Sequence, residues 1–475
     1  MKVELMGGTS KEELEKRIRM LAASGKLSEF PGNVFECYES RGDFSKDLAL
    51  VKRIIGSGHK SIIEHDYLVF AICDVTPIVE QTIIGNRLTS FTIKSRRYVD
   101  FSTAGFYTPN FRNSDYSLHL ENKELQKKYR KHTRFLNKEY SAFLEAGIPK
   151  EDARFLFPYS FYSNIVMGVD ARELEKLVIY LLHGDVSKIQ ELHDLGEKFL
   201  TIIKKYLPYL DAEAIANYGS GDVDKYSFKT SLNKYKKNIE ILRKPLLIDY
   251  TASPDDTLAQ LAVMYETQCN FDEAPVIIAE EEKVDPDFKE KFISEIFSRD
   301  EARELEQISF TFQIPISLAV LTHLTRHRMH SLMVPSFVPM WDFNNYITPD
   351  TVKEAGLEER YKKAIVANMN LFEEFKNAGV VDEDLIYFYL AAQMCNVVTT
   401  INARSLMWIS RVRCCNRAQW EIRRIINTMT SEVKKVAPII GKGFGPTCVI
   451  NRTCTERKSC GLLQKLLEKD AESTK

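Results

Sequence analysis

Two stretches of this 475-residue chain repeat one another at a fixed distance, and that repeat limits the architecture more than any other feature. Arg87, Ser90 and Ser95 recur as Arg328, Ser331 and Ser336, each pair 241 positions apart. Farther on, Asp170-Ala171-Arg172-Glu173-Leu174 recurs as Asn402-Ala403-Arg404-Ser405-Leu406, at a distance of 232. Solenoid repeats run about 20–50 residues, so a period of half the chain means two related domains and not a stacked array. We read residues 1–217 and 246–445 as tandem domains. Residues 218–245, rich in Gly, Ser, Asp, Asn and Lys with little apolar content, read as a linker, and 446–475 as a C-terminal tail.

The elements recur in the same order in each copy. Residues 2–6 predict a short strand, and Ser10 with Glu13 a capping box that opens a helix to about Ala23. Residues 44–55 predict a helix, 66–73 a buried strand, and Thr76-Pro77 a helix start running to Gly85. Residues 122–146 read as helical, Pro149 starts another helix, 155–169 read as buried, and 186–207 as an amphipathic helix. In the second copy, 246–250 predict a strand, 254–265 a helix, and the clean alternation of 308–314 a half-buried strand. Pro315 is expected to open a helix that runs into Arg326, and 418–422 to lead the last long helix.

Lys+Arg (65) and Asp+Glu (66) nearly cancel, which argues against bulk nucleic-acid binding. No apolar run of about 18 residues is present, so no membrane span is expected. The N-terminus lacks an apolar signal core. A soluble cytoplasmic protein is the expectation, with its nine cysteines reduced. Cys448, Cys454 and Cys460 have five-residue gaps, which is not a CxxC zinc pattern, so no metal site is expected. Gly441-Lys442-Gly443-Phe444-Gly445 lacks the strand–turn–helix frame of a phosphate loop.

Chemistry concentrates in Arg326-His327-Arg328, with Ser331 and Ser336 following. Arginine forks bind phosphate bidentately, histidine donates or accepts, and serine hydroxyls fix phosphate or carbonyl oxygens. Such a cluster suits a nucleotide better than a core. Asn402 and Arg413 are eleven residues, about three helical turns, apart and face one way.

This stretch resembles the RHR-x2-S-x4-S-x-R-Y signature of the flavin-dependent thymidylate synthases, the ThyX family. The second copy keeps Arg326, His327, Arg328, Ser331 and Ser336, but has Val338-Pro339 in place of Arg-Tyr. The first keeps Arg87, Ser90, Ser95, Arg97 and Tyr98, but has Gly85-Asn86 in place of Arg-His. Residues 58–65, GHKSIIEH, are similar to the family's Gly-His-x-Ser/Thr-x2-Glu-His element, and 402–422 to its nucleotide and flavin helix. Trp408 stands where the family has a polar residue, and Ile93 where it has an acidic one.

The resemblance implies an α+β fold, present twice: two ThyX-like domains, each a small antiparallel sheet with long helices, forming a pseudo-dimer. It implies reductive methylation of dUMP to dTMP with FAD as cofactor and NADPH and methylenetetrahydrofolate as co-substrates. Two alternatives remain: a paralogue that methylates another uridine nucleotide such as UMP, and a non-catalytic flavin- or nucleotide-binding protein. Carried over residue by residue, dUMP falls to His323, Arg326, Ser95, Arg97, Arg154 and Arg413, with Arg413 at the pyrimidine O2/N3 edge as the catalytic group. FAD falls to His59, Ser61, Glu64, Arg326, His327, Arg328, Asn402 and Arg404; His65 is left as structural. Family members are tetramers with sites shared between subunits, so two chains of this protein would mimic one tetramer. The losses are reciprocal. Gly85 and Leu181 replace the unused groups in the first copy, Val338 and Ile386 those in the second, as expected if one composite site is kept.

Overall fold

The computed structural model describes residues 1–219, 240–338 and 343–473. Most of the expected linker (220–239) and Pro339 lie outside the described residues. Two four-stranded antiparallel sheets organise the chain. The first has strands β1 (Lys2–Leu5), β2 (Tyr67–Val75), β3 (Ser90–Ile93) and β4 (Ser163–Asp170), in the order β1-β2-β4-β3. The second has β5 (Leu246–Tyr250), β6 (Ser309–Ser317), β7 (Ser331–Met333) and β8 (Met394–Asn402), in the order β5-β6-β8-β7. Identical strand order in both sheets is the structural form of the 241-residue repeat. No helix among the described residues is long and apolar enough to cross a membrane.

Each sheet follows from period-two patterning. On β6, Phe310, Phe312, Ile314 and Ile316 are fully buried, and the residues between the first three are partly open. On β2, Leu68, Phe70 and Ile72 point inward, and Phe70 meets Phe199 of helix Gln190–Tyr206 edge-on at 5.2 Å. The same polar staple then closes each copy. Thr76 donates from its N–H and Oγ1 to Glu191, at 2.9 and 2.6 Å, and Ser317 does the same to Glu421, at 2.7 and 2.6 Å. Burial pushes the Glu191 carboxyl up to about 7.

The compact units do not coincide with the sequence repeats. One unit takes residues up to 238 together with 337–343 and 348–392; the other takes 239–336, 344–347 and 393–475. Helix Glu358–Asn377, from the second copy, therefore belongs to the first unit. There it lies against helix Asn122–Glu145, its counterpart from the first copy. His132 Nε2 meets Asn368 Oδ1 at 3.0 Å, and Arg360 pairs with Glu139 at 2.6 Å. Arg112 and the buried Asp384 form a further ion pair at 2.6 Å. At the centre of this unit Pro158 and Leu390 form an antiparallel bridge. They are equivalent positions 232 apart, so this segment pairs with its own copy about a local twofold.

Three local expectations need correction. Pro315 does not open a helix; it lies inside β6, and the helix starts at Leu318. The partner strand β5 reaches only as far as Gln313, so Pro315 falls where β6 is an edge, and there a missing N–H costs no ladder bond. The helix begun at Pro149 is a single turn, Lys150–Ala153, and the buried stretch after it ends in β4. The central strands β4 and β8 are absent from the sequence reading. Both run directly into a helix cap, at Asp170 and Asn402, which hides the boundary between strand and helix periodicity.

Candidate nucleotide and flavin site

In the second unit β6 feeds helix Leu318–Thr325, which is apolar almost all round and almost wholly buried. It carries His323, 7% exposed, and delivers Arg326 to its C-terminal cap. Arg326 is crowded by neighbouring atoms, which lowers its pKa, yet it stays open to solvent. Burial is the one cause acting on it, so among the described residues no carboxylate neutralises this cation.

Next to it, Arg413 Nε donates to His327 Nε2 at 3.0 Å. Burial, followed by the charges of Arg413, His330 and Arg326, pushes His327 down to about 3. The imidazole is therefore neutral at pH 7, with its lone pair on Nε2 and its proton on Nδ1. Sequence reasoning placed His327 and Arg413 on different ligands and did not foresee this contact. It also left out His330, which pins the turn: Nε2 donates to Leu324 O at 3.3 Å, and Nδ1 meets Thr399 Oγ1 of β8 at 2.6 Å. Ser405 Oγ donates to Met329 O at 2.8 Å, tying the same turn to the next helix.

That helix, Ala403–Arg413, is capped by Asn402, whose Oδ1 accepts from the Ser405 N–H at 2.8 Å. Leu406 and Ile409 bury its inner face, and Trp408 is 57% exposed. Arg404 pairs with Glu306 at 2.6 Å through Nη1, while its Nε is buried without a hydrogen-bond partner. The first copy repeats this: Asp170 caps helix Ala171–His183, and Arg172 pairs with Glu64. Arg328 is exposed.

In the first unit Ser95, Arg97 and Arg154 gather around Glu151. Arg97 Nε pairs with its carboxylate at 2.6 Å, Arg154 Nε donates to its carbonyl at 3.0 Å, and Ser95 Oγ accepts from the Arg97 N–H at 3.3 Å. Arg154 is 3% exposed. A second feature escaped sequence reading: Arg96 and Glu80, both buried, form an ion pair beneath this loop, with Arg96 over the Phe161 ring at 4.8 Å. The signal was available, since Glu80 is the one charged residue in a largely apolar helix, Pro77–Gly85. His59, Ser61 and Glu64 are exposed, on or beside the turn Lys60–His65. That turn is held to helix Ala171–His183 by Lys60–Glu175 at 2.8 Å and by Glu64–Arg172.

The neutral His327 predicts a pH dependence. Its folded pKa lies below the ordinary value of about 6.5, so between those values the unfolded chain binds more protons and stability rises with pH. The contribution is complete above about 6.5 and is lost as pH falls toward 3. The native urea midpoint is expected to fall relative to that of His327→Gln as pH drops from 7.5 to about 4.5. Because other groups titrate identically in both proteins, parallel curves would contradict the assignment.

Residues 10–209 and 246–439 each match the family described as Thymidylate synthase complementing protein. A flavin-dependent thymidylate synthase of Clostridium tetani is 33% identical over 240 residues, covering 46% of this chain and 93% of that relative. One from Pyrococcus furiosus is 30% identical over 223 residues, 44% of this chain and 88% of its own. A solved UMP/dUMP methylase, PolB from Streptomyces cacaoi bound with 5-Br dUMP, is 21% identical and covers 47% of this chain and 97% of its own. Its TM-score of 0.36 is too low to carry an argument. Relatives that are almost wholly matched occupy less than half of this chain, and the family matches it twice. The chain therefore belongs to the flavin-dependent thymidylate synthase (ThyX) family of methyltransferases, in a tandem-duplicated form.

Proposed function

We propose that this chain is an FAD-dependent thymidylate synthase that reductively methylates dUMP to dTMP, using methylenetetrahydrofolate as one-carbon donor and NADPH as reductant. The observation that carries the reading is the Arg326–His327–Arg413 cluster. It combines a crowded, solvent-facing guanidinium lacking a carboxylate with an arginine held by a neutral histidine. Such a site complements a phosphate and the anionic edge of an ionised pyrimidine. Arg413 would meet the O2/N3 edge and favour the ionised ring. Arg326, Ser95, Arg97 and Arg154 would hold phosphate and sugar, with His323 orienting the nucleotide.

The donor set also fits a flavin. The orphaned Arg404 Nε is a buried donor in need of an acceptor, on the helix that Asn402 caps. His327, Arg328, Asn402 and Arg404 would hold FAD, and His59, Ser61 and Glu64 would shape the flavin or folate pocket. When bound, FAD supplies the hydride chemistry. The protein's part is orientation and electrostatic activation. The reciprocal losses at Gly85, Leu181, Val338 and Ile386 support one composite site that draws on both copies, and two chains would stand in for the family's tetramer.

The test is direct. Purified full-length protein is given dUMP, methylenetetrahydrofolate and NADPH, with UMP in parallel, and products are read by mass spectrometry. The expected result is a yellow protein that forms dTMP and oxidises NADPH. Colourless protein, or yellow protein without turnover, removes the reading; product from UMP alone replaces the substrate.

A further inference from the structure

Four of the nine cysteines surround one small cavity in the second unit. Cys415, Cys448, Cys454 and Cys460 all line a space of ≈ 50 Å³ between the end of helix Ala403–Arg413 and the C-terminal segment. The segment that brings Cys454 and Cys460 there has little else to hold it. Residues 451–460 are all exposed and form neither helix nor strand. Their docking rests on polar contacts with one turn: Arg417 Nε and Nη2 donate to Lys458 O and Ser459 O at 3.0 and 3.2 Å, and Asn416 Nδ2 reaches Cys460 Sγ at 3.7 Å. Cys415 opens that same turn, and its Sγ accepts from the Arg417 N–H at 3.4 Å.

We propose that Cys460 and Cys415 form a thiol–disulfide exchange site, with Cys460 as the attacking thiol, Cys415 as the resolving thiol, and a small-molecule disulfide as the reactant. The division of roles follows from exposure and contact. Cys460 and Cys454 are open to solvent, Cys415 is half-buried and Cys448 is buried; of the two open thiols, Cys460 is the one that meets Asn416, on the turn that Cys415 opens. The Leu462 N–H, with Asn416, its own N–H and the Arg417 charge, holds the Cys460 thiol below its ordinary value against the opposing effect of burial. Burial, reinforced by the neighbouring thiols, pushes Cys448 up. A thiolate-rich, accessible sulfur is the one that attacks.

The exchange balances. The Cys460 thiolate attacks one sulfur of the small disulfide, breaking its S–S bond and releasing one thiolate, which takes up a proton. The Cys415 thiolate then attacks the Cys460 sulfur of the mixed disulfide and expels the second thiol. Two protein thiols are oxidised and one small disulfide is reduced to two thiols. The product bond would tie the polar segment to the end of the helix that carries Arg413. Four thiols could also gather a soft metal ion, but among the described residues no three ligand groups are close enough to hold one.

Glutathione disulfide is the probe, applied to the full-length protein, with the adducts mapped by peptide mass spectrometry. The native chain is expected to give a Cys415–Cys460 link and two equivalents of glutathione. Cys415→Ser is expected to stop at a glutathione adduct on Cys460, and Cys460→Ser to react at least about tenfold more slowly, because the attacking thiol is gone. Both substitutions lie outside the core, and thermal denaturation of each variant checks that it remains folded. An adduct mapping first to another cysteine overturns the proposal. So does stoichiometric zinc in the isolated protein, with thiols that react only after chelation.

Discussion

Arg413→Ala is expected to lower kcat/KM for dTMP formation by about 10²–10³, the usual cost of removing one oriented donor from a developing anion, while FAD stays bound. The direction follows from how the side chain is held. Its Nε is taken up by His327, which is neutral and contributes no charge of its own. That contact sets the orientation of the guanidinium without neutralising its charge. A cation held this way favours the ionised pyrimidine before reaction and requires little reorganisation during it. Arg413→Lys keeps the charge but loses the planar fork and the Nε contact, so most of the activity is expected to go with it. Flavin absorbance and the thermal midpoint separate this effect from unfolding. An alanine variant that retains half of the native rate would remove Arg413 from the chemistry.

What could be read from the sequence divides along physical lines. Signals carried by single residues with a local mechanism were legible. The Ser10–Glu13 capping box forms, with Glu13 Oε2 accepting from the Ser10 N–H at 2.9 Å, and Pro77 sits in the first turn of its helix. Duplication was legible because it needs only matched letters at a fixed offset. Features that depend on partners distant in sequence were hidden. β4 and β8 are central strands, but their runs include polar residues such as Asn164, Asn396, Thr399 and Thr400, which weaken the alternation. The pairing of Arg413 with His327 spans 86 positions, and the histidine's neutrality arises from burial that no local pattern encodes. The return of 348–392 to the first unit is of the same kind. A repeat in sequence says that two copies exist, and does not say which unit each segment joins.

The second large effect concerns a pair of equivalent positions with opposite side chains. Arg154 and Ile386 are 232 apart and each opens a short 3-10 turn, Arg154–Leu156 and Ile386–Phe388. The backbone is the same in both: Phe157 N–H donates to Arg154 O at 2.9 Å, and Tyr389 N–H to Ile386 O at 3.2 Å. Arg154 is 3% exposed and Ile386 0%. Burying a guanidinium is costly even with its Nε bonded to the Glu151 carbonyl, and burying an isoleucine is favourable, so burial alone would prefer isoleucine at both positions. The first copy nevertheless keeps the arginine.

Ile386→Arg is therefore expected to destabilise the protein by several kcal/mol, about the cost of an uncompensated buried charge and a large part of a typical ~5–15 kcal/mol. It should add no activity, because the second copy lacks the Arg-Tyr of the signature at Val338-Pro339. Arg154→Ile is expected to leave the thermal midpoint unchanged or higher, yet raise the KM for dUMP at least about tenfold by removing a phosphate contact. The two substitutions together discriminate between a structural and a functional arginine. If Arg154→Ile lowers the midpoint as much as Ile386→Arg and leaves KM untouched, the arginine serves the fold, and the division of one site between the two copies loses its support at this position.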